Sequence, residues 1–167
     1  MTNLTRRILF VAVIAAVVLL GAVYAFKNTG TPKEVTAEGS GGDLVLEESS
    51  YDFGTISMVN GNVEKSFVIR NGGTEPLEIK KMYTSCMCTT AFYEAEGQKA
   101  LGPFGMPGHG FVPPVGKTLA PGASATVRIV FDPAAHGPSG VGRISRVVTI
   151  DTNGGSSDLS FSAMVTP

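Results

Sequence analysis

The sequence predicts an all-β sandwich carried behind one N-terminal transmembrane helix. Three observations point there: an uncharged apolar run near the N-terminus, a glycine-rich and charge-poor remainder, and short stretches of alternating apolar and polar residues separated by turn residues. Only 16% of the 167 residues are charged, and 21 are glycine. That composition suits strands and turns rather than a helical bundle or a disordered chain. The length holds one compact domain beyond the membrane segment.

Arg6 and Arg7 close a short tail, residues 1–7, expected in the cytoplasm. Residues 8–26, ILFVAVIAAVVLLGAVYAF, follow without a charge. At helical rise they span roughly 28 Å, close to the hydrocarbon thickness of a bilayer. The length favours an uncleaved signal-anchor over a cleaved signal peptide, for which Val23 and Ala25 would supply the small residues. The short, doubly basic tail sets the orientation as N-in, although Lys27 and Lys33 on the far side weaken the charge bias. The remainder is therefore expected outside the cytoplasm, in a periplasm or at the cell surface, where disulfides persist. Residues 27–42, ending in Gly-Ser-Gly-Gly, have the composition of a flexible tether.

The domain expected over 43–167 contains eight strand-like runs: DLVLEES, YDFGTIS, NVEKSFVIRN, LEIKKMYTSC, CTTAFYEAE, SATVRIVFDP, GRISRVVTIDTN and DLSFSAMVT. Positions two apart share a strand face. Val63, Phe67 and Ile69 thus oppose Glu64, Ser66 and Arg70, and Leu77 and Ile79 oppose Glu78 and Lys80. Val127, Ile129 and Phe131 oppose Thr126 and Arg128, while Leu159, Phe161, Ala163 and Val165 oppose Ser160 and Ser162. One dry face and one wet face per run predicts an antiparallel sandwich of seven to eight strands. Asn71-Gly72-Gly73 and Asn153-Gly154-Gly155 are read as tight turns whose glycines take φ > 0. Residues 97–116, with six glycines and four prolines, are read as one long loop.

In order, YDFGTI, VEKSFVIRNGGTEPLEI, TSCMCTT, LAPGASATVRIVFDP and VVTIDTN form a recognisable series. It resembles the immunoglobulin-like domains of the Hydin and abnormal-spindle type, most closely their bacterial relatives in a domain family of unknown function. Members of that family read Ser-Cys-Gly-Cys-Thr where this chain has Ser85-Cys86-Met87-Cys88-Thr89, so the departure is Met87. The 97–116 segment is a second departure, longer than the usual connection. The resemblance implies an immunoglobulin-like sandwich used for binding or as a scaffold, and it brings no catalytic residues.

The chemistry rests on the two cysteines of the chain. In an extended strand Cys86 and Cys88 would project to one face, so that two thiolates could meet one ion. Soft thiolates suit Cu(I), and Met106 or His109 from the long loop would complete such a site. Two other readings stay open beside this one: a structural pair filling volume, and a Cys86–Cys88 disulfide near the upper limit of reach for extended i and i+2 residues. Thiol-disulfide exchange calls for positive charge near a thiolate, and the nearest in sequence are Lys80 and Lys81. His136, in FDPAAHGPSG, reads as a turn histidine. No serine elbow, phosphate loop or acid-base set is present, and a net charge of −1 without a basic cluster argues against nucleic acid. The expectation is a non-enzymatic, membrane-anchored, extracytoplasmic module that binds a protein partner. The alternatives are a Cu(I) domain for copper storage, delivery or sensing, and a thiol-disulfide exchange protein.

Overall fold

The structure, a computed structural model, describes residues 42–167. The expected cytoplasmic tail, membrane helix and nearly all of the linker lie outside the described residues. Among the described residues, no helix is long and apolar enough to cross a membrane.

Ten strands form two five-stranded sheets. In chain order they are β1 (Leu44–Leu46), β2 (Ser50–Ser57), β3 (Val63–Asn71), β4 (Leu77–Thr84), β5 (Thr89–Glu94), β6 (Leu101–Phe104), β7 (Lys117–Leu119), β8 (Ser124–Phe131), β9 (Gly142–Thr152) and β10 (Gly155–Thr166). One sheet has the order β1-β3-β8-β5-β6 and the other β2-β10-β9-β4-β7. The architecture is all-β and consistent with an immunoglobulin-like sandwich.

The alternation carries through to burial. Phe67 and Ile69, Val127, Ile129 and Phe131, and Leu159, Phe161, Ala163 and Val165 all lie in one core between the sheets. In β4 the alternation holds for Leu77 and Ile79, then slips: a bulge between Ile79 and Lys81 leaves Lys80 and Lys81 both exposed and returns Met82 to the core. An extra residue in one strand shifts the faces of all that follow, which is how both lysines stay in water.

Three expectations are corrected. The pairing is not wholly antiparallel, because β2 runs parallel to β10, Ser50 opposite Ser160 and Ser57 opposite Thr166. The strands number ten, not seven to eight, since β6 and β7 join the eight runs. Residues 97–116 are not one structureless loop: β6 lies inside them, pairing Phe104 with Ala91. Both additions are sheet edges, the place where glycine and proline are tolerated in a strand.

After β6 the chain follows the border of β4. Thr84 N–H donates to Gly105 O (3.1 Å), and Val115 N–H donates to Lys80 O (2.9 Å). It then pairs as β7, Lys117 opposite Ile79 and Leu119 opposite Leu77. Phe104 and Val115 are buried as the two anchors of this segment.

The Asn-Gly-Gly motifs also differ from expectation. Gly72 and Gly73 have no positive φ, and Gly155 (φ 127°) is the left-handed residue of the β9–β10 hairpin. Gly72 is needed for space instead: a Cβ there would lie 2.5 Å from Val45 Cγ2. On the outer face of the first sheet, Arg128 donates to Glu94 (2.8 Å) and Glu64 (3.0 Å), which raises its already high pKa, the Glu94 bond most. In the core, burial raises the Tyr93 hydroxyl pKa above its ordinary value.

Candidate functional site

The registers bring one set of strand ends together. Val63 opens β3 opposite Phe131, the last residue of β8, and Thr89 opens β5 on the other side of Phe131. In the second sheet, Thr84 ends β4 opposite Val148 of β9. The chain passes from β4 in one sheet to β5 in the other through Ser85-Cys86-Met87-Cys88, so the two cysteines sit in the crossing turn and not in a strand.

Hydrogen bonds hold this turn from both sheets. Ser85 N–H donates to Val147 O (2.9 Å), and Val147 N–H donates to Ser85 Oγ (2.9 Å), tying the turn to β9. On the opposite side Asp132 N–H, just past β8, donates to Cys88 O (2.9 Å). Thr89 N–H closes a tight turn onto Cys86 O (3.1 Å). Buried Thr84 directs its hydroxyl at Cys86 O (2.9 Å) and Thr89 O (3.1 Å), two acceptors sharing one proton.

Within the turn Cys86 and Cys88 are joined by a disulfide, their Cα atoms 5.3 Å apart. The turn shortens the separation below the roughly 6.6 Å of an extended pair, placing it inside the usual range for a bridge. The extended geometry read from the sequence is thus replaced. Cys86 is 9% exposed and Cys88 3%, whereas Met87 between them is 51% exposed.

Two side chains from remote segments meet the sulfurs. His136 Nε2 lies 3.1 Å from Cys86 Sγ, and Arg146 Nε donates to Cys88 Sγ at 3.3 Å. A bridged sulfur carries no proton, so the histidine contact is a hydrogen bond only when Nε2 bears the hydrogen. His136 owes its position to its loop. Asp132 Oδ1 accepts Ala134 N–H (2.8 Å), Gly137 takes φ 56°, and Ser139 Oγ–H donates to His136 O (2.7 Å). Arg146 stands near the start of β9, its Nη1 donating to Ser145 O (2.8 Å).

The ligand atoms of Cys86, Cys88 and His136 lie within 4.8 Å of one another. His109 is not a member of this group, and its backbone N–H donates to Met106 O (3.2 Å) in an exposed turn. Sequence reasoning placed the imidazole in the wrong loop for this cluster and missed Arg146. The two sit 50 and 58 positions from their sulfur partners, beyond any local pattern.

The same end exposes apolar side chains. Val59 in the 3₁₀ turn Met58–Asn60 is 85% exposed, and Val141, after the 3₁₀ turn Gly137–Gly140, is 44% exposed. The two turns adjoin at His136, since a Cβ at Gly140 would lie 3.3 Å from both Met58 Cε and His136 Cβ.

A bridge between residues separated by only 2 closes a very short loop. Chain-entropy reasoning values it at roughly 1.6 kcal/mol, well under the contribution of a long-loop disulfide. Reduction is expected to lower the urea-unfolding free energy by about that amount while near-ultraviolet circular dichroism retains its native form. Collapse of the folded signal on reduction would show that the bridge holds the domain together.

These features define a β-sandwich domain with a sulfur-containing cluster at one end, and comparison with known proteins agrees at the level of the fold. Residues 44–100 match a protein family described as protein of unknown function (DUF1573). No curated protein matches the chain. Among solved structures, a protein of unknown function from Porphyromonas gingivalis W83 is similar at 18% identity and TM-score 0.56 over 80% of this chain. The match spans 51% of that protein, about half its length. The ASH / PapD-like domain of human CEP192 (PapD-like domain 7) is similar at 11% identity and TM-score 0.48, covering 83% of this chain and 95% of that one.

Proposed function

We propose that this chain is a membrane-tethered, extracytoplasmic, non-enzymatic binding module that docks a protein partner through the end of the sandwich carrying Cys86 and Cys88. The observation that supports it is the set of apolar side chains, Val59, Met87 and Val141, that three separate connections leave exposed around the sulfurs. Val59, Met87 and Val141 come from three different connections of the same end, so that a partner covering them would remove apolar surface from water together. The tether reading rests on the uncharged run 8–26 and the Gly-Ser linker that follows it.

The test is photo-crosslinking in native membranes from a benzophenone amino acid placed at Val59, Met87 or Val141, with exposed Lys99 as control. One common adduct from the three positions and none from Lys99 is the expected result. No adduct from the three, or equal adducts from Lys99, would overturn the docking surface. Alkaline extraction of the same membranes reads the tether, and release of the chain would reject it.

A further inference from the structure

We propose that the reduced Cys86–Cys88 pair and His136 form a three-coordinate Cu(I) site, with Arg146 as its counter-charge, and that the disulfide is the closed state of this site. It shares this end of the sandwich with the docking surface but does not require it.

The donor set points to the ion. Two thiolates and one imidazole, their ligand atoms within 4.8 Å, make a soft, sulfur-rich trio. Zinc in a structural site takes four ligands, and among the described residues no fourth histidine, cysteine or carboxylate joins the group. Charge points the same way. Two thiolates and Cu(I) leave one net negative charge, which the Arg146 guanidinium, 3.3 Å from Cys88 Sγ, offsets in a largely buried place. A divalent ion would leave that guanidinium facing a neutral cluster.

The surroundings permit two states on one backbone. Ser85, Cys88 and Thr89 are fixed to β9, Asp132 and Thr84 by hydrogen bonds that do not involve the sulfurs. Opening the bridge therefore needs only rotation of two short side chains. His136 is exposed at the rim and can swing onto an arriving ion.

Opening requires a dithiol of the thioredoxin class as reductant. It supplies two electrons and two protons: the Cys86–Cys88 bond breaks, two S–H bonds form, and the donor becomes a disulfide. Cu(I) entry then displaces one proton from each thiol as two copper–sulfur bonds form, and neutral His136 adds its nitrogen lone pair.

The experiment uses the full chain in detergent, reduced by a phosphine, desalted without oxygen, and titrated with Cu(I) against bicinchoninate. One Cu(I) per reduced chain and none per oxidised chain is expected, with X-ray absorption showing two sulfur scatterers and one nitrogen. His136→Ala, on an exposed residue that leaves the core untouched, is expected to weaken binding at least about tenfold and remove the nitrogen scatterer. Met106→Leu and His109→Ala should change neither reading. The proposal fails if the reduced chain binds no stoichiometric copper, if the oxidised chain binds equally, or if His136→Ala leaves affinity and spectrum unchanged. Rapid exchange with a model disulfide without copper binding would also overturn it and mark the pair as an exchange site.

Discussion

Phe161→Ala is expected to lower the unfolding free energy by about 4 kcal/mol, the cost of emptying a phenyl-sized space in a packed core. Phe161 lies on β10, and its ring meets Phe53 of β2 edge-on, with centroids 5.5 Å apart at 86°. On its other side it meets Phe131 of β8 at 5.3 Å. It is thus a junction between the two sheets, which the backbone ladders alone do not join. A domain of this size has about 5–15 kcal/mol in all, so the loss is a large share. Urea denaturation should show a lower midpoint at an unchanged slope. Phe161→Leu keeps most of the apolar volume and should cost markedly less. A loss below about 1 kcal/mol for the alanine variant would mean that the site collapses around the missing ring and that Phe161 does not couple the sheets.

The core was legible because period two is a strong signal wherever one face of a strand is dry. All eight runs became strands, and in the four whose faces the sequence assigned, the apolar face is the one turned to the core. What stayed hidden was pairing. Nothing in YDFGTIS reveals that it lies parallel to DLSFSAMVT, because a strand's own alternation is blind to the direction of its neighbour. β6 stayed hidden for a chemical reason: Leu101-Gly102-Pro103-Phe104 carries the two residues most damaging to a central strand, and only its place at a sheet edge makes it one.

The site was half legible. The cysteines declared themselves by type and spacing, but their chemistry depends on what surrounds them. The local argument against reactive sulfurs looked to Lys80 and Lys81, which the β4 bulge turns outward to water. The charge that reaches a sulfur is Arg146, set by the β4–β9 ladder and the bonds of Ser85 to Val147. The histidine followed a similar course. His109 stands out in sequence through its unusual loop, whereas His136 is aimed by an ordinary Asp-Pro turn closing against Cys88.

Asn71→Ala is expected to cost about 3 kcal/mol, because it removes three hydrogen bonds of a wholly buried side chain and leaves the buried Leu119 carbonyl without this partner. The Asn71 side chain is wholly buried. Its Nδ2 donates to Glu75 O (2.8 Å) and Leu119 O (3.0 Å), while Oδ1 accepts Gly73 N–H (3.0 Å). Leu119 belongs to β7 in the opposite sheet, so an asparagine read from sequence as a turn former is a polar clamp between sheets. Asn153 acts similarly within the second sheet, its Oδ1 accepting Glu78 N–H at 3.0 Å. The two ends of the sandwich therefore differ in kind. At the Asn71 end the buried polar atoms are spent on backbone closure. At the opposite end a disulfide of small structural worth meets an imidazole and a guanidinium. Asn71→Ala should consequently reduce stability in urea while leaving the copper stoichiometry of the folded, reduced chain unchanged. A parallel loss of copper binding in the still-folded variant would show that the two ends are not independent.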